Sequence, residues 1–405
     1  MGFSIATNFD DDLPGLVAPY GAVDLFGKLP RDAIGGGRAS YMIAPTSQCR
    51  LTEHVKKTHE SGLEFNYLAN TACMGNQEFT ATMQKSIRLL LDWLSEINVD
   101  WLTVSVPYLL ELVKSRYPHF KVKIGVFAGV DTPRKAQFYE RLGADCITLQ
   151  AMAVNRDFKR LEAIRKSVQC DLQLIANSNC LLECPIRLYH NVGLSHASQT
   201  GSKGFHIDYC LLRCLVEKLR DPVNYIKSPW IRPEDLHYYE SIGYTSFKIL
   251  ERDAPTQTML RRVRAYHERR FDGNLLDLVQ CYGYKESKSS NQPKRRPIWE
   301  FWEFVRPWHV NPQKLLPWKE LAKLQGMIYR YEGEPYLYID NRALDGFMDK
   351  FITSSCTNLD CADCRHCYKY MESALRIDSN YSQRCIDLAL KLLNELSSGG
   401  MWRRW

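Results

Sequence analysis

Short runs of β-branched and aromatic residues alternate with longer stretches of helical periodicity from the first residues to about residue 270. The runs Phe3–Thr7, Val23–Phe26, Glu64–Ala69, Leu102–Val106, Val122–Phe127, Cys146–Leu149, Leu172–Ala176 and Ser246–Leu250 read as strands. Between most of them lie amphipathic stretches such as Thr82–Ile97, Pro133–Leu142 and Arg156–Val168. Strand followed by helix, repeated, implies parallel βαβ units, and eight strands imply a closed (β/α)8 TIM-like barrel of the α/β class. An open doubly wound sheet is the alternative. No Gly-x-Gly-x-x-Gly turn follows a strand, however; Gly35-Gly-Gly-Arg38 comes nearest and lacks the third glycine.

Past the eighth strand the pattern changes. Lys285 to Pro297 carries the densest basic run, Lys294-Arg-Arg296, among Ser, Asn and Pro, the composition of an exposed linker. Residues 1–284 therefore form the predicted barrel, 285–297 the linker and 298–405 a smaller C-terminal cysteine-rich domain. That last part is rich in Trp, Tyr and Pro up to Tyr338, turns helical from Asp340 and ends in a helix over Ser382–Leu396.

With 45% hydrophobic and 24% charged residues, the 405-residue chain has the composition of an ordinary globular protein. No apolar run approaches the roughly 20 residues needed to cross a bilayer, and the N-terminus lacks a basic region followed by an apolar one. The expectation is a cytoplasmic protein. Gly2 invites a myristoylation reading, but Phe3 onward reads as the first strand and acidic residues soon follow. A formal charge of +7 permits nucleic-acid binding without demanding it.

Fourteen cysteines without an export signal argue for metal binding or reactive thiols rather than disulfides. Eight fall in two groups: Cys180, Cys184, Cys210 and Cys214, and Cys356, Cys361, Cys364 and Cys367. The second group packs four thiols into twelve residues, closer to a compact ferredoxin-type run than to the spaced knuckles of a zinc ribbon. An iron-sulfur cluster is the first expectation there, with zinc as the alternative. In the first group, Cys180-x3-Cys184 fits one loop and Cys210-x3-Cys214 sets two sulfurs on one helix face. Either pair alone is compatible with core packing, but both follow a predicted barrel strand, where chemistry belongs.

Arg187, His190 and His196 accompany these cysteines as groups able to bind an anion or move a proton, and a structural role is open for each histidine, His206 included. Arg232 sits in a proline-containing helix start, Ser228 to Leu236, and Lys248, Glu251 and Arg252 end the last strand. A rim arginine there suits a substrate carboxylate or a structural ion pair. Arg38, Asn70, Asn76 and Asn177 lie near other predicted strand ends. Arg261 to Arg270 sets many cations on one helix and Met401-Trp-Arg-Arg-Trp405 offers rings for base stacking, so RNA is a candidate partner. Neither a His-Glu-x-x-His nor a Gly-x-Ser-x-Gly motif occurs, and Ser195-His196 adjacency is not a triad.

As a set, the barrel order, the strand ending in Asn-x-x-Cys with a second Cys and Arg187, the later cysteines, Trp230-Ile-Arg-Pro-Glu-Asp-Leu236 and Lys248-Ile-x-x-Arg252 resemble the U32 peptidase (collagenase-like) family over residues 1–280. The resemblance implies an oxygen-sensitive [4Fe-4S] cluster held by Cys180, Cys184, Cys210 and Cys214, despite the peptidase label. It further implies an oxygen-independent hydroxylase, an oxidoreductase acting on an RNA base or a small-molecule substrate, with a prephenate-like oxygen donor. A second cluster at Cys356 to Cys367 would relay electrons from an electron-donor protein. The short Cys-x3-Cys spacing departs from the family pattern, which leaves the substrate open. A U32-type peptidase and an RNA-binding modification factor are the alternatives.

Overall fold

The computed structural model describes the whole chain except residues 203–205, 252–253, 280–309, 327–333, 357–359 and 403–405. The predicted linker, Arg252 and the last three residues lie outside the described part. Strands β1 (Gly2–Ala6), β2 (Ala22–Gly27), β3 (Glu64–Ala69), β4 (Trp101–Val104), β5 (Lys121–Ile124), β6 (Cys146–Thr148), β7 (Asp171–Ile175) and β8 (Ser246–Ile249) pair in chain order. Parallel pairing of β1 with both β2 and β8 closes them into the (β/α)8 barrel. All eight predicted strands are present, displaced by no more than a few residues at their ends.

Alternate residues of each strand face opposite sides. Those under the helices are apolar: Phe3, Leu25, Phe65, Leu102, Val122, Ile147, Leu172 and Phe247 are each buried. The inward set is polar. Lys123 on β5 reaches Asp24 on β2 at 3.1 Å, and since these strands are not neighbours both side chains point into the barrel. Asp24 also accepts a hydrogen bond from Ser4, Thr103 donates to Asn66 at 2.8 Å, and Thr148 donates to Gln173 at 3.1 Å. Lys248 is buried with its ammonium 3.9 Å from the Phe26 ring centroid.

The C-terminal part is built on the barrel wall. β9 (Leu337–Ile339) pairs antiparallel with β10 (Leu375–Ile377), and Leu275 N–H donates to Ile339 O at 2.8 Å. The final helix, Ser379–Ser397, is capped by Asp378 and packs along the helix Tyr209–Arg220. Ile339, Leu344, Phe347, Met348, Phe351 and Leu392 join the barrel's own apolar core. Among the described residues no helix is long and apolar enough to cross a membrane.

Candidate functional site: thiols at the barrel mouth

At the C-terminal end of β7 the chain leaves the barrel through Asn177. Its amide donates to Leu250 O (3.1 Å) and Leu278 O (3.2 Å) and accepts from Leu250 N–H (2.7 Å), stapling the ends of β7 and β8 together. The loop beyond carries Cys180 and Cys184, and Glu183 N–H is anchored on Met152 O at 3.1 Å. Cys210 and Cys214 follow on one face of the helix Tyr209–Arg220, which Asp208 caps by accepting from Leu211 N–H at 2.8 Å.

These two elements bring the four thiols into one another's fields: Cys184 feels Cys180, Cys210 feels Cys184 and Cys214, and Cys214 feels Cys180 and Cys184. Cys210 is buried, Cys184 and Cys214 half-buried and Cys180 exposed. Burial pushes Cys210 up to about 12, with Asp208 adding to it, and Cys214 up to about 11, against the pull of the Lys218 ammonium. Lys218 itself is buried and donates to Asn179 O (2.7 Å), Asn179 Oδ1 (2.6 Å) and Ser228 Oγ (3.1 Å). Cys214 and Lys218 also line a cavity of about 320 Å³ between this helix and the C-terminal part, which Tyr336 and Tyr381 line as well. Among the described residues, no three His, Cys, Asp or Glu side chains stand close enough to hold an ion without moving. Four sulfurs on two elements, with Lys218 and Arg187 in their surroundings, are the donor atoms a soft metal would take.

Arg187 begins the helix Arg187–His196 and points back over the mouth. Its Nε meets Gln150, just past β6, at 3.1 Å when that amide turns its oxygen toward the guanidinium. A Cβ at Gly129, past β5, would lie 3.4 Å from Nη1 and Nη2. Nη1 is buried with no hydrogen-bond partner among the described residues. Opposite, Gly35-Gly36-Gly37 is wedged into the mouth. Gly35 has φ +83, and a Cβ there would stand 2.6 Å from Ser195 O; at Gly36 it would meet Asn70 Oδ1 at 2.8 Å. Asn70 Oδ1 accepts from Gly37 N–H at 3.1 Å.

Two ion pairs shape the mouth, the first without a local sequence signal. Lys28, fully buried, pairs with Asp32 at 2.9 Å, and Tyr67 OH donates to the same carboxylate at 2.7 Å. Burial, then Asp32, raises the Tyr67 phenol well above its ordinary value. Glu251, at the end of β8, holds φ 108, a strained conformation for a side-chain-bearing residue, and pairs with Arg38 at 2.9 Å.

The other predicted residues divide. His190 stands 3.1 Å and His206 3.8 Å from Asp208. Burial works against the charge of Asp208, yet these two rings hold its carboxyl below the usual range. His196 Nδ1 lies 2.9 Å from Gln199 Oε1, which braces the loop. Arg232 does not join the mouth. Buried at 2% exposure, it pairs bidentately with Asp235 (2.9 Å to each oxygen) and reaches Asp345 (2.9 Å) and Asn341 O (2.7 Å), which fixes the C-terminal part to the barrel. Asn76 is an exposed turn residue with φ 63. In the helix Thr256–Glu268 the cations do not form one free face: Arg262 is buried and donates to Asp277 O (3.0 Å), and Arg264 pairs with Glu268 (3.6 Å).

The second cysteine group lies elsewhere, against the outside of the barrel. Cys361 and Cys364 bound a one-turn helix, Cys361–Cys364; Arg365, at φ 47, reverses the chain into His366–Ala374, which carries Cys367. Cys356 and Cys367 lie in the field of Arg156, and Lys350 Nζ is 2.8 Å from Cys364 Sγ. Burial raises Cys356, and Cys367 to about 11, whereas Lys350 holds Cys364 below its ordinary value against the burial that opposes it.

No family model matches the chain. It is 29% identical over 344 residues to the uncharacterized protease MJ1657 of Methanocaldococcus jannaschii, covering 85% of this chain and 86% of that protein. Among solved structures, it is similar to the U32 peptidase Mk0906 (TM-score 0.48, 22% identity, 61% of this chain and 92% of that one). It is also similar to a phosphoribosyl anthranilate isomerase from Thermus thermophilus (TM-score 0.36, 12% identity, 66% and 98%). The protease name of the archaeal relative accords with the resemblance to the U32 peptidases noted in the sequence.

Proposed function

We propose, with the likeness to the U32 peptidases as premise, that this chain is an iron-sulfur enzyme whose reaction runs at the C-terminal mouth of the barrel, an oxygen-independent hydroxylase or related oxidoreductase. The observation that carries the reading is the gathering of Cys180, Cys184, Cys210 and Cys214 from the β7 loop and the helix Tyr209–Arg220 beside Lys218 and Arg187. Those four side chains would hold a [4Fe-4S] cluster at the end of a barrel strand, where TIM-like barrels place their chemistry. A bound cluster supplies electrons or, with one iron open, a Lewis acid.

The surrounding residues supply the rest. Arg187, with one buried guanidinium nitrogen uncommitted, suits a carboxylate of a small acidic oxygen donor. Arg38 stands across the mouth, held ready by Glu251. Asp208 between His190 and His206 forms a relay able to hold or pass a proton at the edge of the thiol group. The buried Lys28–Asp32–Tyr67 set fixes the glycine loop, and so the shape of the pocket, through Asp32, which accepts from Ile34 N–H (2.9 Å) and Gly35 N–H (2.6 Å).

A hydrolytic reading follows from the name of the archaeal relative, but the described residues give it little support. Ser195 is fully buried; its hydroxyl donates to Asn191 O (2.7 Å) and accepts from Ala72 N–H (2.7 Å), so no base activates it as a nucleophile.

Iron and acid-labile sulfide per chain after oxygen-free purification, in wild type and Cys214→Ala, test the proposal. The substitution is expected to remove about four iron and four sulfide. An unchanged iron and sulfide content would overturn it.

A further inference from the structure

The mouth reading gives no task to the cavity of about 320 Å³ between the helix Tyr209–Arg220 and the C-terminal part, whose size is that of a small-molecule pocket. Its walls are aliphatic and aromatic. Leu211, Leu276 and Leu324 line it together with Tyr338 and with Tyr336 and Tyr381, whose rings stack 4.7 Å apart at 12° between planes. Two of the polar side chains around it are already committed. Asn274 donates to Leu337 O (3.2 Å) and accepts from Leu276 N–H (3.2 Å) and Ile339 N–H (2.9 Å). Lys218 directs its ammonium at Asn179 and Ser228 and lies 4.9 Å from the Tyr225 ring centroid.

Two other polar groups are not committed. Tyr225 is 6% exposed and lines the cavity, yet its phenol has no hydrogen-bond partner among the described residues; only its carbonyl is used, by Trp230 Nε1 at 2.9 Å. Burial raises this phenol well above its ordinary value, so it stays protonated and able to donate. Asp277 lines the same space. Arg262 Nε donates to its main-chain oxygen at 3.0 Å, whereas its carboxylate has neither a hydrogen bond nor an ion pair among the described residues. A buried hydroxyl left unpaired costs free energy that a bound molecule offsets.

These groups describe the occupant. A flat ring system suits tyrosine and leucine walls. A carboxylate accepts and does not donate, and its two oxygens match an edge that presents two adjacent N–H groups. The phenol can donate to a ring nitrogen or a carbonyl beside that edge. Phosphates and carboxylates are disfavoured, because Asp277 and Glu334 repel them while the Lys218 ammonium serves Asn179 and Ser228.

We propose that this cavity is a second binding site, for an uncharged planar nitrogen heterocycle with adjacent ring and amino N–H donors, the edge chemistry of a guanine-type base. Asp277 is the acceptor and Tyr225 the donor. The site stands independently of the metal reading of the mouth. Cys214 lines it as well, so its occupant lies beside one thiol of the mouth group.

Calorimetry on the full chain, with guanosine as probe and inosine, which lacks the amino group, as its comparison, tests the site. Wild type is expected to bind one guanosine per chain and to bind inosine about 10-fold more weakly. Asp277→Asn replaces an acceptor oxygen by a donor; guanosine affinity is expected to fall about 10-fold or more and the preference over inosine to vanish. Tyr225→Phe is expected to weaken both ligands about 5-fold at an unchanged thermal midpoint, since its hydroxyl bonds nothing else among the described residues. Leu211→Trp fills the space and is expected to abolish binding. No guanosine binding to folded wild type at millimolar concentration, an undiminished preference in Asp277→Asn, or unchanged binding in Leu211→Trp overturns the proposal. Should Leu211→Trp fold poorly, the Asp277 and Tyr225 variants decide. The readout counts no metal, so failure here and failure of the mouth reading are told apart.

Discussion

The two cysteine groups hold the same number of thiols in opposite surroundings. At the mouth, Cys210 and Cys214 feel Asp208, which holds its two histidines, and Cys214 feels Lys218 while Cys184 feels Arg187, so positive and negative groups are mixed. At the wall, the fields on Cys356, Cys364 and Cys367 come from Arg156, Lys350, Lys227 and the neighbouring thiols, and aromatic rings surround Arg156. A site that must bind substrate and move protons needs groups of both signs and an opening. One that holds charge and joins two parts of a chain needs cations and rings. Ligand count alone does not separate these tasks, whereas the second layer of residues does.

Loss of a mouth thiol is the sharpest way to break the contrast. Cys214→Ala is expected to abolish turnover, while Cys361→Ala leaves the mouth metal in place; equal metal loss from both variants would merge the two sites into one. Next in size is Arg232→Met, which strands Asp235 and cuts the C-terminal part loose at an expected cost of about 3–5 kcal/mol in chemical denaturation, with mouth metal retained in the folded fraction. If mouth metal fell with it while stability held, Arg232 would belong to the reaction after all.

His54 supplies a control away from both groups. It is fully buried, 2.7 Å from Thr7 Oγ1, and burial lowers it from 6.5 to about 4. The folded state thus binds fewer protons than the unfolded one between those values. Stability should fall as pH drops from about 6.5 toward 4, by up to ~3 kcal/mol, and thermal midpoints against pH should flatten in His54→Gln. Arg187→Met should then raise KM for an acidic substrate or lower kcat by about 10-fold or more, without moving the thermal midpoint. The smallest effect expected is for Gly35→Ala. A positive φ and a backbone oxygen 2.6 Å from the new Cβ predict about 1–3 kcal/mol of destabilisation, read by denaturation.

The barrel was legible because each strand is buried on both sides and each helix repeats its apolar positions, signals that live within a few residues. The thiol groups were legible from composition and spacing. Arg156, Lys218 and Asp208 were not, because their meaning depends on partners far away in sequence: Arg156 meets Met348 and Ser228, and Lys218 meets Asn179. Asp208 did have a local sign, a carboxylate just before the helix Tyr209–Arg220, but a cap and a proton relay look alike in sequence. Arg232 shows how a structural task draws attention in a sequence. Its proline-containing helix start marks a demanding structural task, with Asp235, Asn341 O and Asp345 at 2.7–2.9 Å from its guanidinium.

The charged pair inside the barrel, Lys123 with Asp24, constrains how descendants of this sequence can vary. Replacing either partner alone strands the other in a sealed interior, whereas an apolar pair of matching volume is tolerated there. A lineage crossing from one solution to the other passes through a weakened intermediate. These two positions, 99 residues apart, are therefore expected to be inherited together, and a library that varies them singly will underestimate what the barrel can accommodate.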